Sequence, residues 1–255
     1  MARLSGIFSN LDQESAAFAA ACISCKDVVR FDSFEALKLA TGDKVSATSD
    51  NWRNTSVSLS AALLAREGWN LILQGRGKNP IIDLSVTIVD FTGRVVLTCP
   101  DGAGKVLIGS CGHMVANCYL GKPSTLIIGD GTTCNGAEIM NHASFVHIGA
   151  DCMLSKEILL QASDQHGIFD LATGEIINRE KRSITIDNRV WVGRRVTVMP
   201  KVKIERGAIV GTGSIVTRNI PTCCAVGGNP AKVIRENVSW SRFLDTLDRQ
   251  AIDFR

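Results

Sequence analysis

Aliphatic residues recur at steps of six through the last third of the chain: Ile186, Val192, Val198, Ile204, Val210 and Val216. The positions four later, Val190, Val196, Val202, Ala208, Ser214 and Ile220, are all small or aliphatic. A period of six fits neither an amphipathic helix nor a long two-residue alternation. It fits a parallel β-solenoid of triangular section, with one short strand per side, one inward aliphatic residue per strand and a tight turn at each corner. Upstream the same signal runs at a period of twenty, with Ile88-Val89, Ile108-Gly109, Ile128-Gly129 and Ile148-Gly149 in register. That is the same coil with two extra residues at a corner. Coils are therefore predicted to start at 88, 108, 128, 148, 186 and 204. The coil begun at Ile148 ends at Gln165, so residues 166–185 are predicted to leave the stack as a projecting loop. Its first residues, "ASDQHGIFD" (162–170), carry one of only four histidines, His166, between Asp164 and Asp170.

The first eighty residues carry helical signals instead. Ser15–Ala21 is an alanine-rich run, and Asp32-Ser33 can cap a helix over Phe34–Ala40 that Gly42 stops. Ser58–Arg66 reads as a further helix closed by Gly68, and Trp69–Leu73 as a short strand. Gly75-Arg76-Gly77 and Asn79-Pro80 punctuate the chain. The expected organisation is a helical or α/β cap over 1–80, the solenoid over 81–237 and a helical tail over 238–255.

Composition narrows this picture. The chain has 255 residues, with 23 glycines, six prolines, one tyrosine and 5% aromatic residues. That profile suits a β-rich repeat fold better than a two-layer domain built on aromatic bulk. A net charge of +3 is too small to argue for nucleic acid or an acidic membrane surface. No stretch approaches the ~20 apolar residues of a membrane span. Met1–Asn10 lacks the apolar core of an export signal, so the chain reads as soluble and cytoplasmic. Nine cysteines are an odd number at scattered apolar or small-residue positions, which argues against a disulfide framework. Cys22 and Cys25 have redox or zinc spacing, but no second CxxC or His pair completes a site; Cys223-Cys224 reads as structural in the same way.

The segment "ITIDNRVWVGRRVTVMPKVKIERGAIVGTGSIVTRNIPTCCAVGGNPAKVIREN" holds an ordered set of turns: V-W-V-G, G-T-G-S, V-T-R-N-I-P and G-N-P-A-K-V-I-R. Over roughly 83–237 the chain resembles the hexapeptide-repeat acyltransferases. That resemblance implies a mainly β left-handed parallel β-helix. It also implies acetyl-CoA as cosubstrate without a metal, and a homotrimer with active sites between subunits. A histidine before a projecting loop, followed by W-[IV]-G, is similar to the sugar and antibiotic O-acetyltransferases. The loop text "FDLATGEIIN" looks most like those that modify surface polysaccharides such as capsule or lipopolysaccharide.

Acetyl transfer from a thioester to a hydroxyl needs a base, and a histidine can take the hydroxyl proton and return it to the departing thiolate. His166 is the candidate, with Asp164 or Asp170 to hold its other ring nitrogen. The resemblance implies an acceptor contact for Asn135, whose amide can both donate and accept. The acidic acceptor contact of the galactoside and maltose enzymes is not matched; Asn141, His142 and Ala143 stand there. Trp191 offers a flat wall for a sugar ring or the pantetheine arm, and the backbone amide near Gly193-Arg194 an oxyanion donor. Gly211-Thr212-Gly213 lets the coenzyme arm approach the backbone, and Arg218, Lys232 and Arg235 form a basic set suited to its phosphates.

Two rival chemistries share the fold. One is N-acetyl transfer to an amino sugar, or acetyl transfer to serine, although serine acetyltransferases usually carry a longer helical N-terminal domain. The other is a zinc-dependent β-helix carbonic anhydrase with His113, His142 and His147 as ligands. Their offsets from the first Ile of their own coils, five, fourteen and nineteen, put His113 on a different side from the other two.

Overall fold

The computed structural model describes residues 11–24, 27–76, 81–100, 104–179 and 182–254. Residues 1–10, Cys25, Gly77 and Asn79-Pro80 lie outside them. The architecture is a parallel β-solenoid, and its rungs keep the predicted register. Ile88 pairs with Ile108, Ile128 with Ile148, Ile148 with Ile186 and Ile186 with Ile204, all in parallel. These isoleucines line the inside of one side of the prism, here side A, and each is essentially inaccessible. Side B stacks Cys134, Leu154, Val192, Val210 and Val226. Side C stacks Cys118, Ile139, Leu160, Val198 and Val216. Strands β5 (Leu84–Cys99), β6 (Gly104–Ile128) and β7 (Thr133–Ile148) run around corners; β8 (Met153–Leu154) and β9 (Ile158–Gln161) are single sides. Above the insertion the sides are two to five residues long: β10 (Arg182–Ile186), β11 (Trp191–Val192), β12 (Thr197–Val198), β13 (Val202–Ile204), β14 (Ile209–Val210) and β15 (Ile215–Val216). An antiparallel pair, β16 (Ala225–Gly227) with β17 (Lys232–Arg235), closes the C-terminal end.

The stack also continues below residue 84. After β1 (Val28–Phe31) and β2 (Val45–Ala47), strands β3 (Ser56–Ser60) and β4 (Trp69–Gly75) both pair in parallel with β5, and one apolar core runs from Phe31 to Val226. The expected helix over Ser58–Arg66 is therefore corrected. Ser56–Ser60 is a strand whose Val57 and Leu59 point into the core, and only Ala61–Ala65 is helical, with Ser60 Oγ accepting from Leu63 N. Packing of two inward aliphatic residues overrides the helical propensity of the run that follows. The other N-terminal helices form as read. Helix α1 spans Gln13–Cys22, and α2 spans Phe34–Thr41 with Ser33 as N-cap. At the insertion the chain rejoins the stack at Arg182, so 182–185 belong to β10, held there by inward Ile184 and Ile186. In the C-terminal tail only Arg249–Phe254 is helical.

Helix α1 lies on the outside of side A. Ala19, Cys22 and Ile23 pack there on Val89, Leu107 and Ile127. Along that outward column the next residue is His147, buried beneath Phe18 at 4.8 Å between ring centroids, and then Thr185 and Lys203. His147 is the polar residue the helix covers, and its Nε2 lies 3.1 Å from Ser15 Oγ.

Corners are left-handed. Gly131, Asp151, Arg189, Gly207 and Cys223 occupy one corner in register, with φ of 72°, 52°, 57°, 72° and 54°. Stacking puts Asp151 and Arg189 on adjacent rungs, and their side chains pair at 2.6 Å. Arg189, 4% exposed, also pairs with Asp248 at 3.0 Å and donates to Trp240 O at 2.7 Å, while Trp240 Nε1 donates back to Arg189 O at 2.8 Å. Arg242 adds a second guanidinium to Asp151 at 2.8 Å. This buried network fastens the tail to the prism.

Candidate active site

The insertion folds as a hairpin. Phe169 bridges Ile176 antiparallel, and Ile177 N donates to Ile168 O at 2.8 Å. At the turn, Asp170 Oδ1 accepts from Thr173 N at 2.8 Å and Ala172 N at 2.9 Å, which hold its carboxyl below the usual range. The base is clamped by Asn178, whose Nδ2 donates to His166 O at 2.9 Å and to Asp164 Oδ2 at 3.1 Å while its Oδ1 accepts from Ile168 N. Arg182 then donates to Asn178 O at 2.8 Å and to Ser163 Oγ at 3.1 Å. His166 is thus fixed by its backbone at the outer end of side C, with its side chain exposed. None of the described residues hydrogen-bonds its ring. Of the two carboxylates, Asp170 is engaged in the turn, and Asp164 is joined to His166 through Asn178.

Asn135, Arg194 and Gly211-Thr212-Gly213 lie along a different edge, where side B turns into side C. Register aligns Gly136, Glu157, Arg195 and Gly213 there, all with positive φ. Asn135 is exposed beside Gly136, in a groove of about 440 Å³ that Glu138, Lys156 and Glu157 also line. Glu157 accepts from Arg195 Nε at 2.6 Å and from Arg194, and these bonds bring its carboxyl down to about 2. Gly193 N donates to Val210 O at 2.8 Å, and a Cβ on Gly193 would sit 2.7 Å from that same oxygen. The Gly193 amide is committed to the stack, which leaves the Arg194 amide as the oxyanion candidate. At Gly213 a Cβ would meet nothing within 4 Å, so the surface beside Thr212 is open.

Trp191 points outward on side B between Met153 and Ile209, 37% exposed, and lines a groove with residues 239–247. Arg218, Lys232 and Arg235 are exposed at the C-terminal end, and none of them forms an ion pair among the described residues. Within one chain, then, Asn135 and Arg194 come together along the B–C edge with Gly211-Thr212-Gly213 above them. His166 stands at the opposite edge of side C.

The histidines of the zinc reading are dispersed. His113 is exposed on side B, His142 packs on Gly121, and His147 is buried under α1. Among the described residues no three His, Cys, Asp or Glu side chains are grouped to hold a metal. Burial pushes the Cys134 thiol up to about 11 and Cys22 up to about 12, so these sulfurs stay protonated core atoms. No helix among the described residues is long and apolar enough to cross a membrane.

Sequence reasoning passed over Glu157, Arg195, Asn178 and Arg182. Glu157 and Arg195 had a signal in the solenoid period, since both fall at the corner step of Gly136 and Gly213. Asn178 had none, because the closure of a loop carries no periodicity.

A scan against protein-family models gives no match. Among curated proteins, the chain is 35% identical over 192 residues to the polysialic acid O-acetyltransferase of Neisseria meningitidis, covering 66% of this chain and 88% of that one. It is 45% identical over 122 residues to the polysialic acid O-acetyltransferase of Escherichia coli O1:K1 / APEC, a match that spans 39% of that protein's length. Among solved structures, the polySia-specific acetyltransferase NeuO superposes with a TM-score of 0.71 at 30% identity, over 83% of this chain and 97% of that chain.

Proposed function

We propose, from the premise that the chain belongs to the hexapeptide-repeat saccharide O-acetyltransferases, that it transfers acetyl from acetyl-CoA to a hydroxyl of an acidic surface saccharide. His166 acts as general base. The observation that carries this reading is the clamped loop base, which fixes the histidine backbone and leaves the ring exposed with no partner among the described residues. A base must present a free ring nitrogen to the acceptor proton. In the reaction the acceptor oxygen attacks the thioester carbonyl, forming the O–C bond as the ring takes the hydroxyl proton. The tetrahedral intermediate then expels the thiolate, which recovers that proton from the imidazolium. The Arg194 amide serves the oxyanion. The acidic acceptor is supported by the relatives, whose names specify polysialic acid. Acetyl transfer to sialic acid oligomers, assayed beside amino sugars and serine, tests the reading; acetylation of the amines alone would overturn it.

The coenzyme phosphates are assigned to Arg218, Lys232 and Arg235, and the pantetheine arm to the open backbone at Gly211-Thr212-Gly213 and the indole of Trp191. Lys232→Ala and Arg235→Ala are expected to raise the Michaelis constant for acetyl-CoA about tenfold each, the order of a lost charge-assisted hydrogen bond. Melting temperature should not move, since both side chains are exposed. An unchanged Michaelis constant in both variants would remove the phosphate assignment.

A complete site takes residues from two chains, in a homotrimer. The support is the distance across side C between His166 and the Asn135 edge, together with the hairpin's own surface. Ile168, Phe169, Leu171 and Ile177 are exposed there, Leu171 at 90%. An apolar tip of that kind suits the side of a neighbouring prism. Sedimentation at assay concentrations is expected to give a trimer, and a fully active monomer would rule the arrangement out.

A further inference from the structure

A second cleft, of about 520 Å³, opens on side C at the same edge as His166. Its floor is a column of outward residues on successive rungs. Gln74 pairs with Thr98, Thr98 with Tyr119 and Tyr119 with Met140, and Gln161 continues the column on the next rung, outside the cleft. The cleft ends at Gln165, the residue before His166. Tyr119, the only tyrosine of the chain, carries the Arg76 guanidinium 5.2 Å from its ring centroid. Arg76 is exposed and makes no ion pair among the described residues.

We propose that this cleft is a subsite for a carboxylate-bearing sugar residue of an oligomeric acceptor, with Arg76 pairing the carboxylate and Tyr119 holding Arg76 in place. The inference rests on the reading of the protein as an acetyltransferase of acidic saccharides, and extends it from the reacting sugar to one the enzyme does not modify. Three features point this way. A guanidinium over an aromatic ring, with no ion-pair partner among the described residues, keeps N–H groups for a planar, bidentate acceptor such as a carboxylate. The rest of the column is uncharged, and Gln74 and Thr98 offer groups that match sugar hydroxyls beside the apolar Met140. Glu138, beside Met140 and one rung nearer the loop than Tyr119, repels a carboxylate there and so favours the Arg76 end. Two rungs separate Tyr119 from Gln161, about 10 Å along the prism at the usual strand spacing. A sugar held at Arg76 is therefore not the one at His166, and the cleft selects for chain length.

The test is calorimetric titration of native protein and Arg76→Gln with a sialic acid tetramer, sialic acid monomer and an uncharged glucose tetramer, beside acetyl-transfer rates for the same three. Arg76→Gln is expected to weaken tetramer binding and raise its Michaelis constant about tenfold or more, the loss of a charge-assisted pair. Rates with the monomer should be unchanged, and native binding of the tetramer should fall with added salt. Tetramer binding equal in native and variant, or no tetramer binding to the native protein, overturns the subsite. Arg76-dependent tetramer binding without acetyl transfer to any saccharide would keep the subsite and refute the transfer reading.

Discussion

His166→Ala is expected to lower turnover by about 10²–10⁴-fold, the range for removing a positioned general base. The Michaelis constant for acetyl-CoA should change little, because the ring is assigned to the reacting hydroxyl and not to the phosphates. Folding should survive. The side chain is exposed on an insertion whose clamp uses the His166 carbonyl, and alanine retains that carbonyl. Steady-state kinetics beside a melting curve make the measurement. A folded variant with more than about a tenth of native turnover would exclude His166 as the base, given that range. Asn178→Ala separates position from chemistry. It removes the amide that ties His166 O to Asp164 and should lower turnover by loosening the ring's position, while the imidazole itself is retained.

The largest effect on stability is expected at Arg189. Arg189→Ala leaves Asp248, itself 5% exposed, without its guanidinium partner. Removing one member of a buried ion pair costs about 3–5 kcal/mol. For a chain of this size each kcal/mol lowers the melting temperature by about 2–4 °C. A fall of less than about 2 °C in a thermal scan would show that the network is dispensable, since it corresponds to under 1 kcal/mol. The pH dependence has a definite sign. Burial alone would raise the Asp248 carboxyl, but the Arg242 and Ala251 amides and the Arg189 charge outweigh it and hold it below its usual value. A depressed carboxylate stabilises the fold above its unfolded pKa of ~3.9 and loses that contribution as pH falls through the folded value. Native protein should therefore lose stability below about pH 4, where its advantage over Arg189→Ala narrows.

The isoleucine column was legible because a stacked coil repeats its inward residue at a fixed step, so Ile186 and Ile204 announce each other from sequence alone. The insertion that carries His166 was legible because a break in that step marks it. The N-terminal rungs were hidden, since Val57 and Leu59 are too few to show a period beside the helix-favouring Ala61–Ala65. Arg189 was hidden for another reason. Its partners Asp151 and Asp248 are 38 and 59 residues away, and only the stacked corner and the returning tail bring them together. Nor could the sequence tell Asp164 from Asp170, because the choice turns on which amide groups each carboxylate meets once the hairpin has closed.

Ile148 sits directly on Ile186, so beyond the one coil that supplies β8 and β9 the prism does not register how many residues separate them. Lengthening a flexible segment is thermodynamically mild, at about 0.6 kcal/mol per doubling. The loop between Gln161 and Arg182 can therefore be rewritten in length and text while every rung on either side of it keeps its place. The end assigned to the coenzyme and the hairpin assigned to the acceptor are consequently free to diverge at different rates. One ancestral scaffold could supply a set of enzymes that share a thioester and differ in the glycan they modify.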